Sequence, residues 1–338
     1  MRVRTRPALA CAALALLAGP WGSAPAAAQV LPPSVVQRFG GADRYATSAL
    51  VAAEFAPADV ERVFLASGEV FPDGLAAGAA AARFGAPLLL TRAGALPAAV
   101  EAELVRLSPP AVHVVGGPVR VGERVLERVR ELLPDALVTR TAGEDRYATA
   151  ALLAEQFFPD PVEVAVLVRG DAFPDALPGA ALAAAAGGPL LLTEPDRLPG
   201  RTTTWLRAEP LSRLVVLGGT GAVGEAVERE AAALLEDPDG LVRLDGADRY
   251  ETSARVAEVV FPEATSVFLA SGEDFPDALS GAPLAAVTGA GGSPLLLVHQ
   301  DCAPTVVAEY STDPRLTYRA ILGGPGVLSS GVTDQCAP

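Results

Sequence analysis

Four short motifs recur three times, in one order, about one hundred residues apart, and this repetition limits the chain to an architecture of three like units. Gly41–Thr47 (GADRYAT) returns as Gly143–Thr149 (GEDRYAT) and Gly246–Thr252 (GADRYET). Phe71-Pro72-Asp73 returns as Phe173-Pro174-Asp175 and Phe275-Pro276-Asp277. Pro87–Leu90 returns as Pro189–Leu192 and Pro294–Leu297, and Val114–Gly117 as Val216–Gly219 and Ile321–Gly324. The units run over 34–135, 136–239 and 240–338 and leave no room for a separate catalytic domain among them.

Within a unit, apolar runs alternate with helical patterns. In the first, strands are expected over Val35–Phe39, Arg62–Ala66, Pro87–Thr91 and Ala111–Val115. Helices are expected over Asp43–Phe55, Pro72–Phe84, Pro97–Leu107 and Val119–Leu133. Runs such as Pro87–Leu90 are too short for helices and lack polar alternation, as in strands buried on both faces. Strands alternating with helices imply a parallel sheet, so each unit reads as a small Rossmann- or flavodoxin-like α/β sandwich.

The first 28 residues read as a secretory signal peptide: Arg2, Arg4 and Arg6, an apolar run from Ala8 to Ala18, then Ala26–Ala28 before Gln29. Residues 29–33 form a linker, and no later apolar run is long enough to span a membrane. All 26 basic residues are Arg, and losing three of them with the leader leaves 23 against 40 acids, a net charge of −17. That acidity argues against nucleic acid as a partner. Export also makes Cys302–Cys336 a disulfide by default, with a thiol nucleophile as the alternative.

Each landmark has a structural and a ligand-binding reading. Asp43, Asp145 and Asp248 stand where helix N-caps belong. In Phe-Pro-Asp the Pro suits a first helical turn, and Asp73, Asp175 and Asp277 complement the helix dipole. Arg44, Arg146 and Arg249 follow the N-caps, where a cation opposes the dipole and needs a partner. That partner is either an acidic side chain, such as the Asp of Phe-Pro-Asp, or a ligand anion held by bidentate hydrogen bonds. The loop after the second strand carries Ser67, Arg169 and Ser271 at equivalent places, at the carboxyl end of a parallel strand where open α/β sheets bind ligands. A Gly turn with a capping Ser or Glu is the structural alternative there.

Catalytic signatures are scarce. His113 lies in an apolar strand, His299 has no counterpart in the other units, and no metalloprotease, nucleophile-elbow or dinucleotide motif occurs. An Asp/Glu-based wall hydrolase and an exported binder of one small ligand remain alternatives to multivalent binding of a repetitive ligand.

Together these motifs resemble the cell-wall-binding repeat family, type 2, found in exported proteins of Gram-positive bacteria. The resemblance covers essentially all of the chain after the leader. It implies three α/β modules around a pseudo-threefold axis, non-catalytic and attached non-covalently to wall polymers: teichoic-acid-like or other anionic glycopolymers, or peptidoglycan. Arg44, Arg146, Arg249 and the Phe-Pro-Asp motifs match the family pattern, while Glu251 departs from it, as does a shortened last helix. Polyanion binding at −17 must act at short range, because charges are screened beyond ~8 Å at physiological salt. Arg clusters or a bridging divalent cation such as calcium would serve, the latter held near Glu69, Asp73, Asp171, Asp175, Glu273, Asp274 and Asp277.

Overall fold

The computed structural model describes residues 35–173 and 175–337, so the leader and linker expected over 1–33 lie outside the described residues. The first repeat supplies β1 (Val35–Phe39), α1 (Arg44–Ala52), β2 (Arg62–Ser67), α2 (Pro72–Arg83), β3 (Leu88–Thr91), α3 (Ala98–Leu107), β4 (Ala111–Val115) and α4 (Glu123–Leu132). The second supplies β5 (Leu137–Thr141), α5 (Arg146–Phe157), β6 (Val164–Arg169), α6 (Leu177–Ala186), β7 (Leu190–Thr193), α7 (Gly200–Ala208), β8 (Arg213–Leu217) and α8 (Glu225–Ala232). The third supplies β9 (Leu241–Leu244), α9 (Arg249–Val260), β10 (Ser266–Ser271), α10 (Pro276–Val287), β11 (Leu295–Val298), α11 (Thr305–Ser311) and β12 (Tyr318–Leu322).

These strands form three parallel sheets of four, in the orders β3-β2-β4-β5, β7-β6-β8-β9 and β11-β10-β12-β1. The α/β class and the parallel sheets agree with the sequence reading, but the self-contained sandwich does not. The strand that opens each repeat completes the sheet of the preceding repeat, and β1 closes the ring by pairing with β12, Val35 opposite Tyr318 through Phe39 opposite Leu322. The helix that follows each such strand returns to its own repeat, α1 against β3, α5 against β7 and α9 against β11. Each repeat therefore straddles two sheets.

A recurrent arginine holds each exchanged strand in place. Arg38 donates to the carbonyls of Gly323 (2.9 Å), Leu328 (2.8 Å) and Ser329 (3.0 Å). Arg140 bonds the Gly116 carbonyl and Glu123 (2.9 Å), and Arg243 bonds the carbonyls of Gly218 and Val223 and the carboxylate of Glu228. Each arginine thus clasps the Gly-Gly loop of the preceding repeat, satisfying carbonyls that the turn leaves without ladder partners.

The centre is made of α2, α6 and α10, which pack on one another. Ala and Gly dominate them because neighbouring helices lie close: a Cβ on Gly74 would come within 2.8 Å of Leu279. They are buried along most of their length, as helices without a polar face must be. His113 is also a core residue, its Nδ1 2.7 Å from the Thr139 hydroxyl and its ring edge-on to Phe157. The expected disulfide is present and joins Cys302 to Cys336. It secures the end of the third repeat, where a 3-10 turn over Ser330–Thr333 stands in place of a helix like α4.

Replacing Arg140 by Ala is expected to cost about 1–3 kcal/mol in urea unfolding, since the charge-assisted bond to the buried Gly116 carbonyl and the ion pair with Glu123 are lost. A loss indistinguishable from zero would mean that the strand ladder alone holds β5. Replacing Cys302 and Cys336 by Ser together is expected to cost roughly 3–4 kcal/mol, from the loop they close. Unchanged midpoints in the same titration would contradict this.

Candidate functional site

The loops leaving β2, β6 and β10 meet on the pseudo-threefold axis. Phe71, Phe173 and Phe275 form a triangle there, each pair of ring centroids 5.8 Å apart. All three rings are half-buried, so the triangle is both the end of the central core and part of the surface. Two of the three Phe-Pro-Asp motifs are seen whole, and in them Pro72 and Pro276 open their helices, as the sequence implied; Pro174 lies outside the described residues.

Beneath each Phe lies the Asp of the motif. Asp73 and Asp277 are buried and Asp175 is half-buried, and burial raises the proton affinity of all three. The first Gly of each Gly-Gly pair gives its carboxylate room: Gly116, Gly218 and Gly323 have φ of 104°, 98° and 125°. A Cβ on Gly116 would stand 2.6 Å from the Asp73 carboxylate, and one on Gly323 2.9 Å from that of Asp277. On the other side comes the next repeat around the ring. Arg120 of the same repeat and Arg146 of the next pull the Asp73 carboxyl down, Thr252 and Arg249 pull down Asp175, and Thr47 and Arg44 pull down Asp277. Desolvation wins in each case, and Asp277 is pushed up to about 6, with one carboxylate oxygen unbonded.

Arg44, Arg146 and Arg249 give one donor to a backbone carbonyl, those of Gly68 (2.7 Å), Gly170 (2.7 Å) and Gly272 (2.6 Å). They thereby tie the start of each repeat's first helix to its own β2-type loop. The acidic partner that the sequence reading weighed is near but secondary: Arg44 is 3.6 Å from Asp274, with both side chains partly exposed. Asp43, Asp145 and Asp248 cap their helices as expected.

Ser67 and Ser271 are buried, and their hydroxyls accept from the amides of Glu69 (3.1 Å) and Glu273 (3.1 Å), closing a turn within the loop; they do not cap α2 or α10, which have no side-chain cap. Arg169 departs from this, forming a bidentate pair with Asp171 and reaching the Gly221 carbonyl at 3.3 Å. That pairing holds the Asp171 carboxyl below the usual range. The structure thus gathers the predicted Arg, Asp and loop residues into three like junctions around one axis. Arg38, Arg140, Arg243 and the Thr of each repeat were not singled out in the sequence, although each arginine stands three residues before the GxDRYxT motif. Among the described residues no group of three or more His, Cys, Asp or Glu is placed to hold a metal ion, and no helix is long and apolar enough to cross a membrane.

The model of one known domain, cell wall binding domain 2 (CWB2), matches at 38–126, 140–228 and 243–333. The chain belongs to this family. Among similar curated proteins are the amidase enhancer of Bacillus subtilis, 27% identical over 90% of this chain and 40% of its own length, and the N-acetylmuramoyl-L-alanine amidase LytC of the same organism, 26% identical over 89% and 58%. This CWB2 chain therefore spans about half the length of those relatives. Among solved structures it is similar to Cwp6 from Clostridium difficile, with a TM-score of 0.82 and 24% identity over 89% of this chain and 47% of that one. Cwp8 from the same organism gives 0.77 and 28%, over 88% and 50%. Each CWB2 match begins at or next to the arginine of an exchanged strand and ends beyond the Gly-Gly pair, so the landmarks of one match are divided between two sheets.

The buried carboxyl at the ring-closing junction sets a pH dependence. Asp277 binds its proton more tightly folded than unfolded, so its contribution to stability is greatest below about pH 4 and declines as pH rises toward about 6. His113 acts oppositely, because burial lowers it to about 4 and stability is lost as pH falls below its ordinary value. The two overlap, so the informative quantity is the difference between wild type and Asp277→Asn. The advantage of the variant is expected to grow by about 2–3 kcal/mol from pH 4 to pH 7 in urea titrations. A difference independent of pH would show that Asp277 titrates normally.

Proposed function

We propose that this protein is an exported, non-catalytic wall-attachment protein that binds anionic wall polymers at three like surfaces. The observation that carries the reading is the threefold recurrence of one junction around a single axis within a CWB2 chain. A reaction centre is commonly one asymmetric set of groups, whereas three like rims suit a polymer of repeating units. Linking weak sites gains ~10²–10⁴ in avidity without any single strong site.

Each rim presents both charges. Arg44, Arg146 and Arg249 have half-exposed heads beside the acidic loops of Glu69, Asp171 and Glu273–Asp274. With a chain this acidic, attraction to a polyanion acts only on contact. A calcium ion bridging those loops to the polymer supplies such a contact, with the polymer giving several of its oxygen ligands. The arginines supply it directly through donors not engaged by the glycine carbonyls.

Pelleting with purified Gram-positive walls is expected to remove the protein from solution, and a chelator to reduce that removal. Undiminished pelleting in chelator would eliminate the cation bridge and leave the arginine contact. Failure to pellet under both conditions would contradict wall attachment. Turbidity of the same walls is expected to stay constant, and release of soluble fragments would overturn the non-catalytic reading.

A further inference from the structure

The three repeats are not equivalent away from the axis. Glu144, Arg197 and Arg201 in the second repeat correspond to Ala42, Ala95 and Ala99 in the first and to Ala247, Cys302 and Val306 in the third. These second-repeat residues gather around one open cleft of about 480 Å³, between the starts of α5 and α7 and the end of β7. That volume lies within the ~300–1,000 Å³ of small-ligand clefts.

The side chains of the cleft are partly committed and partly free. Tyr147 and Pro199 give it apolar wall. Arg197 is locked on Glu194 through two hydrogen bonds, one of them Nε to Oε2 at 3.0 Å, which fixes a planar donor-acceptor pair at the rim. Asp145 uses one oxygen on the Ala148 amide (2.7 Å) and keeps the other. Arg201 has only a 3.8 Å approach to Glu155, both half-exposed, which holds it weakly.

Charge selects the ligand class. Glu144, Asp145 and Glu194 outnumber Arg197 and Arg201, so the cleft is net negative and repels a phosphate or a uronate. Fixed acceptors beside fixed donors suit adjacent hydroxyls, each of which can donate and accept. An aromatic wall suits the apolar face of a sugar ring. We propose that the cleft of the second repeat is a subsite for an uncharged pyranose of a glycan, distinct in chemistry from the three anion-directed rims. It rests on the wall-attachment reading only in that a wall glycan would be its natural source.

Amide chemical shifts of the intact protein, titrated with a β-1,4-linked N-acetylglucosamine tetramer and separately with glycerol 3-phosphate, test this. The tetramer is expected to move the resonances of Tyr147, Gly200 and Thr204, and the phosphate is not. Arg201→Ala and, independently, Glu194→Gln are expected to weaken the tetramer by roughly tenfold, as loss of one charge-assisted hydrogen bond gives. Both are surface changes whose folding circular dichroism verifies. Shifts that favour glycerol 3-phosphate, or none in the cleft with either probe, would overturn the subsite. Wall pelleting without tetramer shifts removes the subsite and leaves attachment; tetramer shifts without pelleting remove attachment and leave the subsite.

Discussion

Everything in this fold depends on strand exchange between repeats. Each sheet gets its outer strand from the next repeat, and the third gets it from the first, so no repeat can complete its sheet alone. The exchanged strand brings its arginine onto the Gly-Gly loop of one repeat, then runs into a helix that packs on another. The ring is therefore a closed chain of dependencies. Its three axis helices lie close enough to require Ala and Gly where an isolated α/β sandwich would carry larger side chains.

The same exchange explains where the recurrent motifs converge. The Asp of Phe-Pro-Asp, the first Gly of Gly-Gly and the Arg and Thr of GxDRYxT come from two repeats but meet at one junction. Much of the motif pattern is thus the chemistry of joining. Drawing three carboxylates partly or wholly out of water costs stability at neutral pH, and the neighbouring Arg and Thr groups offset part of that cost. The surface proposed to meet ligand consists of the half-exposed Phe triangle, the acidic loops and the arginine heads, and it recurs because the junctions recur.

The α/β class, the three repeats, the N-caps and the disulfide were legible from residue type and spacing. Sheet membership was not. Val35–Phe39 and Leu137–Thr141 look alike as strands whichever sheet they join, because a strand's pattern records burial and not the identity of its neighbour. The last helix of the first repeat begins at Glu123 rather than Val119, because the chain turns over Pro118–Arg120 after the Gly-Gly pair and Gly122 is an extended N-cap. Arg44, Arg146 and Arg249 were recognised as cations in need of partners, but the partners are glycine carbonyls, which sequence does not display. The arginine three residues ahead of each GxDRYxT motif is visible as a fifth recurrence. Its role appears only once the strand is seen to cross.

In the proposed role, one ring presents three cooperating contacts to a polymer. The most direct measurement is the dissociation rate of the intact protein from purified anionic wall polymer fractionated by length. The rate is expected to fall steeply as the polymer grows long enough to reach a second and then a third rim, and to level off beyond that. A dissociation rate independent of polymer length would show a single contact and contradict the account.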